Sequence, residues 1–185
     1  DQAVTEEAST FPFNPYGIAK LSVEHFLRYL GQRFDVEWQA YRIGNAYGVG
    51  QSLSGGQGVI GIWMKQLLAG EGLQVFGDNE TLRDYVCVDD VVSLMHYSLR
   101  DHAESGVYNI GCGRGVTLPQ LLKLVQEAAG REGEVTVHPR RSLDNRSVVL
   151  NPSKLLGRFP GFSFRSLEEE LPRIWKWVGD QDQAS

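Results

Sequence analysis

The sequence predicts an α/β fold organised on a parallel sheet, and the order of its periodic patterns supports this prediction. Apolar residues recur at helical spacing over 15–30, and residues 36–43 then alternate and are rich in aromatic and β-branched types. Helix and strand patterns continue to follow one another as far as residue 178. This alternation is typical of parallel strands that are joined by helices.

The first helix has signals at both ends. The Asn14 side chain can cap it, Pro15 suits its first position, and Gly31 is placed to end it. Tyr16 and Lys20 stand four residues apart and share one face near the helix N-terminus. A phenol ordinarily ionises near pH ~10, but a neighbouring ammonium and the helix dipole both favour the phenolate. The pair can therefore serve acid–base chemistry, although a half-buried tyrosine beside a surface lysine is the ordinary alternative.

A glycine-rich segment at 44–57 follows the first predicted strand and is predicted to be a loop. Functional loops in α/β proteins gather where strands end, so this loop is a candidate site. Next come a helix at 59–69 that Gly70 closes, a strand at 73–77 and a turn at 78–81.

The C-terminal half continues the same alternation. Asp89 or Asp90 is placed to cap a helix at 91–99, and Thr117 and Gly130 are placed to bound another. The remaining elements are a strand at 106–110, a helix at 118–129, a strand at 134–138, a polar loop at 140–146, a short helix at 152–156 and a helix at 166–178, with frayed residues at 180–185.

The composition excludes several classes of function. The net charge is −5 and no block of Lys and Arg occurs, so neither nucleic acid nor an acidic membrane surface is an expected partner. No apolar run approaches ~20 residues, and the N-terminus has no secretory pattern. Cys87 and Cys112 lie far apart, the histidines are scattered, and no metal site is expected. Two buried thiols in a reducing compartment are the simplest interpretation, which favours a cytoplasmic protein.

The segment 111–115, Gly-Cys-Gly-Arg-Gly, partly matches a dinucleotide-binding loop because it follows a strand and precedes a helix. Its third glycine comes one residue early, and no acidic residue ends a second parallel strand about 20 positions later. We interpret it as a tight strand-to-helix turn.

Taken in order, several short segments resemble the extended short-chain dehydrogenase/reductase family, in its NAD-dependent nucleotide-sugar epimerase/dehydratase branch. They are Asn-Pro-Tyr-Gly-Ile-Ala-Lys (14–20), Tyr-Arg-Ile-Gly-Asn-Ala-Tyr-Gly-Val-Gly-Gln (41–51), Val-Phe-Gly-Asp (75–78), Arg-Asp-Tyr-Val-Cys-Val-Asp-Asp-Val (83–91), Tyr-Asn-Ile-Gly-Cys-Gly (108–113), Arg-Ser-Leu-Asp (141–144) and Asn-Pro-Ser-Lys-Leu-Leu-Gly (151–157). Each is weak alone, but their order and spacing across nearly the whole chain make the match specific.

The resemblance implies a division of the chain into two parts. Residues 1–50 would form the last elements of a Rossmann-like parallel sheet. Residues 51–185 would form mainly a small mixed α/β substrate domain, with some strands and helices returning to the first part. In this family a Gly-x-x-Gly-x-x-Gly loop and a Ser/Thr that assists the tyrosine precede the segment at 14–20. We therefore expect this chain to be a C-terminal portion, inactive alone.

The resemblance also assigns roles at the cofactor. NAD would be the cofactor, and Tyr16 would be the acid–base group at a sugar hydroxyl. Lys20 would hold the nicotinamide ribose and stabilise the phenolate, and Ile43 and Gly44 would line the cofactor site.

The implied substrate is a UDP-sugar, whose pyrophosphate requires cations and hydrogen-bond donors. Arg83 and Arg141 would clamp the pyrophosphate, and surface ion pairs are the alternative for both. The other implied contacts are Asn45 to the phosphate or sugar, Gln74 and Phe76 near the base, and Asp144 to the ribose hydroxyls. A loop cap, a core position and a turn remain alternatives for Asn45, Phe76 and Asp144.

The implied reaction is C4 epimerisation through a transient 4-keto sugar. Val148 stands where strict UDP-galactose/glucose epimerases usually carry a tyrosine, so N-acetylhexosamine substrates are also expected. A dehydratase, decarboxylase or reductase of the same family remains open. So does a non-catalytic module that binds nucleotide sugar or dimerises. The resemblance further implies a homodimer in which the 15–30 helix joins a helical bundle.

Overall fold

The computed structural model describes residues 3–53, 58–77, 79–101, 104–139 and 147–183. Within these residues helices and strands alternate, as the sequence predicts. The helices are α1 (Pro15–Phe34), α2 (Val59–Ala69), α3 (Val88–Arg100), α4 (Leu118–Ala129), α5 (Ser153–Leu156) and α6 (Leu167–Gln183). The strands are β1 (Gln39–Ile43), β2 (Asn45–Tyr47), β3 (Leu73–Phe76), β4 (Leu82–Cys87), β5 (Gly106–Ile110), β6 (Gly115–Thr117), β7 (Val135–His138) and β8 (Ser147–Val148).

Helix α1 begins as predicted but ends later. Asn14 Oδ1 accepts a hydrogen bond of 2.8 Å from the Gly17 amide, and Pro15 occupies the first helical position. The predicted end at Gly31 is wrong, because the helix continues to Phe34 and ends at Asp35 in the left-handed region. Gly31 is needed for packing instead. A Cβ there would lie 2.3 Å from Cδ1 of Trp38.

Strand β1 pairs in parallel with β5, from Gln39 opposite Gly106 to Ile43 opposite Ile110. The strand starts at Gln39 and not at residue 36 as predicted. Two hydrogen bonds from Arg42 on β1 to Glu24 on α1, of 2.9 and 2.7 Å, fix the helix to this sheet.

The predicted loop at 44–57 contains a strand, so that prediction is wrong in part. Residues Asn45–Tyr47 form β2, which pairs in parallel with β4. Gly44 permits the close approach of these strands, because a Cβ on it would lie 2.8 Å from the Asp84 carbonyl oxygen. Strand β4 also pairs with β6 (antiparallel) and β8 (parallel).

A further two-stranded parallel sheet joins β3 and β7, with Phe76 opposite His138. Leu73 and Val75 on β3 are buried in the core, whereas Phe76 keeps 46% of its surface exposed. Phe76 is therefore not a core residue, which was the alternative interpretation of this position.

Helix α3 starts three residues earlier than predicted. Its N-cap is Cys87, and neither Asp89 nor Asp90 caps it. Asp90 is 3% exposed and accepts hydrogen bonds from the Arg165 backbone amide and guanidinium at 2.8 and 2.6 Å. A tertiary contact thus takes the carboxylate that the sequence assigned to capping.

The caps of α4 are confirmed. Thr117 and Gln120 form a reciprocal capping box, and Gly130 closes the helix in the left-handed region. Helix α6 runs to residue 183, so the expected fraying at 180–183 is wrong, while 184 and 185 lie outside the described residues. Val178, which is 1% exposed, anchors the turn before this extension.

The buried apolar side chains form two clusters. One lies among α2, α4, α6 and the strands beside them, and Trp63, Met64, Leu121 and Leu171 are fully buried in it. The other lies between α3, β4, β5 and α5, around Val86, Leu94, Ile110 and Leu155. None of the helices in the described part of the chain combines the length and apolarity that a membrane span requires.

Candidate functional site

Tyr16 and Lys20 lie together on the first two turns of α1. Lys20 Nζ is 5.5 Å from the centroid of the Tyr16 ring, and the Tyr16 side chain is 73% exposed. Both residues stand at the end of the helix where the dipole favours negative charge. The arrangement therefore presents a phenol beside an ammonium on an open surface.

A cavity of about 340 Å³ lies beside Lys20, between α1 and the segment that precedes it, and Tyr16 is not among the residues that line it. Its wall includes Lys20, the Glu24–Arg42 ion pair and the ring of Phe13. The hydrogen bonds that Arg42 donates to the Glu24 carboxylate are the main reason that the Arg42 pKa is raised. The wall thus contains one lysine and one arginine, and the charge of the arginine is balanced by Glu24.

Ile43 and Gly44, the other predicted cofactor residues, stand at the carboxyl end of β1. Ile43 is 43% exposed, and the Gly44 amide donates to the Ile110 carbonyl oxygen at 2.9 Å. Ligands of open α/β sheets bind beyond the carboxyl ends of parallel strands. Both residues therefore stand at the edge where such a ligand lies.

Asn45 lies at the mouth of a second cavity, of about 240 Å³, that Tyr47, Gln51 and Tyr85 also line. The Tyr47 hydroxyl is buried and has no hydrogen-bond partner among the described residues. Burial raises the pKa of Tyr47 and holds it in the neutral form, and burial likewise raises the pKa of Tyr85 to about 12. Neither tyrosine is suited to act as a base.

Arg83 and Val148 are brought together by the pairing of β4 with β8, where they occupy the same register position. Arg83 is half-buried, and its Nη1 donates to the Leu82 carbonyl oxygen at 3.1 Å. Arg141 and Asp144, predicted for the pyrophosphate and ribose, lie outside the described residues.

Gln74 and Phe76 lie on the face of β3 that is turned away from the core, and sequence reasoning missed their neighbour His138. The His138 ring stacks on Phe76 with a centroid separation of 4.6 Å. Its Nε2 lies 2.6 Å from Gln74 Oε1. The signal was a histidine at the end of a predicted strand, but only the strand pairing shows what it contacts.

Asp84 joins three chain segments through its buried carboxylate, which is 1% exposed. It accepts backbone hydrogen bonds from Cys112 at 2.7 Å, Gly113 at 3.1 Å and Leu150 at 3.1 Å. Burial raises the Asp84 pKa, and these amides oppose that shift. Because Asp84 already occupies the amides of 112 and 113, these amides are not free to hold a phosphate. The predicted strand-to-helix turn is wrong in part, because Gly115 begins β6 and the turn therefore joins two strands.

Cys87, Asp89 and Glu170 come together although their sequence spacing gives no hint of it, with potential ligand atoms within 4.8 Å of one another. Arg173 Nη1 contacts Asp89 at 2.7 Å and Glu170 at 3.2 Å. One guanidinium thus already bridges the two carboxylates, and the group works as an ion-pair network that links α3 to α6.

The family comparison gives one match to most of the chain. A family model described as the NAD dependent epimerase/dehydratase family matches residues 1–111. Among curated proteins, a dTDP-4-dehydro-6-deoxyglucose reductase of Escherichia coli is 30% identical over 178 residues, which is 96% of this chain and 56% of that protein.

Two solved structures are similar in fold and sequence. A UDP-glucose 4-epimerase from Thermotoga maritima, crystallised with UDP-glucose, has a TM-score of 0.89 and 35% identity, over 98% of this chain and 58% of its own. The UDP-glucose 4-epimerase of Thermus thermophilus, in complex with NAD, has a TM-score of 0.82 and 31% identity, over 96% of this chain and 60% of its own. The predicted mixed α/β fold is confirmed. The chain spans about half the length of the curated relatives that it matches, from 44% to 58%.

Proposed function

Because the chain belongs to the NAD-dependent epimerase/dehydratase family, we propose that it serves the C4 epimerisation of a UDP-sugar through a transient 4-keto sugar. The observation that carries the proposal is the Tyr16–Lys20 pair at the N-terminus of α1, with its ammonium 5.5 Å from the phenol ring. The similarity to an epimerase crystallised with UDP-glucose supports the choice of reaction and substrate.

In this proposal Tyr16 takes the proton from the C4 hydroxyl and later returns it to the oxygen of the opposite epimer. Lys20 stabilises the phenolate, as does the positive end of the helix dipole. Bound NAD supplies hydride transfer at C4 of the sugar. The chain's own contribution is thus to hold the proton and to orient the sugar.

The chemistry of the exposed groups fits the nicotinamide end of NAD. Tyr16 and Lys20 offer a hydroxyl and an ammonium to a ribose, and Ile43 offers exposed apolar surface at the same strand edge. Residues 1–50 would form the cofactor side of the molecule. Residues 51–185 would form mainly the sugar-nucleotide side, with β5 returning to pair with β1.

The substrate contacts follow from the same proposal. Arg83 would bind the pyrophosphate with Arg141, and Asn45 would donate to the phosphate or the sugar. Asp144 would accept from the ribose hydroxyls. Val148 shares a register position with Arg83, and its small side chain leaves room for a 2-acetamido group, so UDP-N-acetylhexosamines are included among the substrates.

A reductase of the same family is the second candidate, because the Escherichia coli relative, 30% identical, carries that activity in its name. The Tyr16–Lys20 pair suits both reactions, since each moves a proton at a sugar oxygen while hydride moves at carbon. A dehydratase or decarboxylase shares the same requirement. Product analysis separates these reactions, because only epimerisation leaves the sugar formula unchanged.

A homodimer is also proposed, through α1. Ile18, Val23, Phe26, Tyr29 and Phe34 on this helix are each more than half exposed. A helix with apolar residues on more than one face is typical of packing against further partners. Sedimentation at several protein concentrations tests this assembly.

The reaction is tested with a chimera in which residues 1–185 follow the N-terminal part of the Thermotoga maritima relative. We expect conversion of UDP-glucose to UDP-galactose and of UDP-N-acetylglucosamine to its 4-epimer, and loss of both in the Tyr16→Phe chimera. Calorimetry of the 185-residue chain with NAD⁺ and with UDP complements this assay. Binding of UDP without any turnover by the chimera would favour a non-catalytic binding module.

A further inference from the structure

The open face of the β3–β7 sheet carries a preassembled group of polar and aromatic side chains. We propose that His138 is a positioning residue for nucleobase recognition, which fixes the Gln74 carboxamide so that its nitrogen donates to the C4 carbonyl of a pyrimidine base lying against Phe76. This inference rests on the proposed function, because it concerns the base of the same UDP-sugar. The carbonyl-bearing pyrimidines, uracil and thymine, are the bases that it selects.

The strand register explains why these side chains meet. Phe76 stands directly opposite His138, and Gln74 stands opposite Thr136, so Gln74 is the diagonal neighbour of His138 on one face. The backbone of Gln74 is held from the core side, where Trp63 Nε1 donates to its carbonyl oxygen at 3.0 Å. Both the main chain and the side chain of Gln74 are therefore fixed.

The hydrogen bond to His138 decides which end of the amide is offered to a ligand. With Nε2–H of His138 donating to Gln74 Oε1 at 2.6 Å, the carboxamide oxygen is occupied and the amide nitrogen carries the donors. A carbonyl at C4 of the base accepts from such a donor. An amino group at C4, as in cytosine, is itself a donor and cannot accept a hydrogen bond from the Gln74 amide nitrogen.

The aromatic part of the site is open to solvent. The imidazole lies nearly parallel to the Phe76 ring, at 18°, and Phe76 still exposes 46% of its surface. A pyrimidine can therefore lie against the exposed part of the ring. Arg83 on β4, which is the residue proposed for the pyrophosphate, follows Phe76 by seven positions in the sequence.

The test compares UDP with CDP as calorimetric ligands of the 185-residue chain. We expect the wild type to bind UDP about tenfold more tightly than CDP, which corresponds to one well-placed hydrogen bond. His138→Phe keeps a ring on Phe76 but cannot hold Oε1, so the preference should fall to about twofold or less. Gln74→Leu should lose it in the same way, and His138→Gln, which can again donate to Oε1, should restore part of it. His96→Phe, at an exposed histidine on α3, is the matched control and should keep the wild-type ratio.

The ratio of the two dissociation constants is the decisive quantity, because a general loosening of the fold weakens UDP and CDP alike. A wild type that binds UDP and CDP equally, or a His138→Phe variant that keeps the tenfold preference, would overturn the inference. If the wild type binds UDP and Arg83→Ala abolishes this binding, the proposed function stands even where the inference about His138 is overturned. A wild type that binds neither nucleotide would overturn the proposed function and this inference with it.

Discussion

Arg42 of β1 and Glu24 of α1 form a two-pronged ion pair, with Nε to Oε1 at 2.9 Å and Nη2 to Oε2 at 2.7 Å. The two side chains are only 25% and 18% exposed, so solvent screens the pair weakly. The same guanidinium donates to the Glu6 carbonyl oxygen at 3.1 Å and so ties the N-terminal segment to the helix that bears Tyr16.

Removing this pair should loosen the candidate catalytic helix. We expect Arg42→Ala to lower the free energy of unfolding by about 1–3 kcal/mol, because it leaves the Glu24 carboxylate without its charged donor. Arg42→Lys should recover only part of this loss, since an ammonium cannot form both bonds. Urea unfolding measures the series, and an unchanged midpoint in Arg42→Ala would contradict the role of the pair.

Gly31 supplies a second test of how α1 is packed. Alanine favours helices over glycine, yet Gly31→Ala should destabilise the protein by about 1–3 kcal/mol, because its Cβ would lie 2.3 Å from Trp38. Gly179→Ala in α6 is the matched control. No atom lies within 4 Å of the Cβ it would add, so it should stabilise by about 0.5–1 kcal/mol. The opposite signs in urea unfolding are the expected outcome.

The capping signals were predictable because they are local. Thr117 and Gly130 bound α4 as the sequence indicates, since each cap involves residues within one turn of the helix end. Gly31 was wrongly predicted to end α1, because its role depends on packing against Trp38. Asp90 was wrongly predicted as a possible helix cap, because its carboxylate binds Arg165 instead. A glycine or an aspartate in the sequence does not say which distant side chain it will meet.

For the candidate site too, local contacts were predictable from the sequence and contacts between distant segments were not. The spacing of Tyr16 and Lys20 within one helix specifies their contact directly. The three-residue strand β2 was missed because its pairing partner, β4, lies some forty residues further along the chain. His138 was missed for the same reason, since only the β3–β7 register brings it to Phe76.

Replacing the candidate acid–base group should affect turnover far more than binding. In the chimeric enzyme we expect Tyr16→Phe to lower kcat by about 10²–10⁴-fold, the range typical of general acid–base catalysis. KM for UDP-glucose should stay nearly constant, because Tyr16 is 73% exposed and supports no packing. Tyr29→Phe, on the same helix, should keep the wild-type rate. A Tyr16→Phe enzyme of full activity would exclude Tyr16 as the proton carrier.

Stability should decline at alkaline pH because the fold shields ionisable thiols and phenols from solvent. Of the two thiols expected to be buried, Cys87 is buried, whereas Cys112 is only partly buried. Burial raises the pKa of Cys112 from its ordinary value of 9.0 to about 12. Between these values the unfolded chain has released the thiol proton while the native chain retains it, so the free energy of unfolding falls as pH rises. Cys112→Ser removes this group and should flatten the fall between pH 9 and 12 in urea unfolding series. Identical slopes in the variant and the wild type would contradict the assignment.

Asp84 gives the protein an internal cooperativity that its small, separate sheets would not otherwise have. Its carboxylate on β4 holds the turn after β5 and the residue Leu150 through one shared acceptor group. Neither segment can detach without exposing a buried carboxylate that has lost a donor, so partial opening is penalised at every junction. Separating the sheet beside the Tyr16 helix from the sheet that carries Arg83 therefore breaks these hydrogen bonds, which opposes local opening between the two parts of the candidate site.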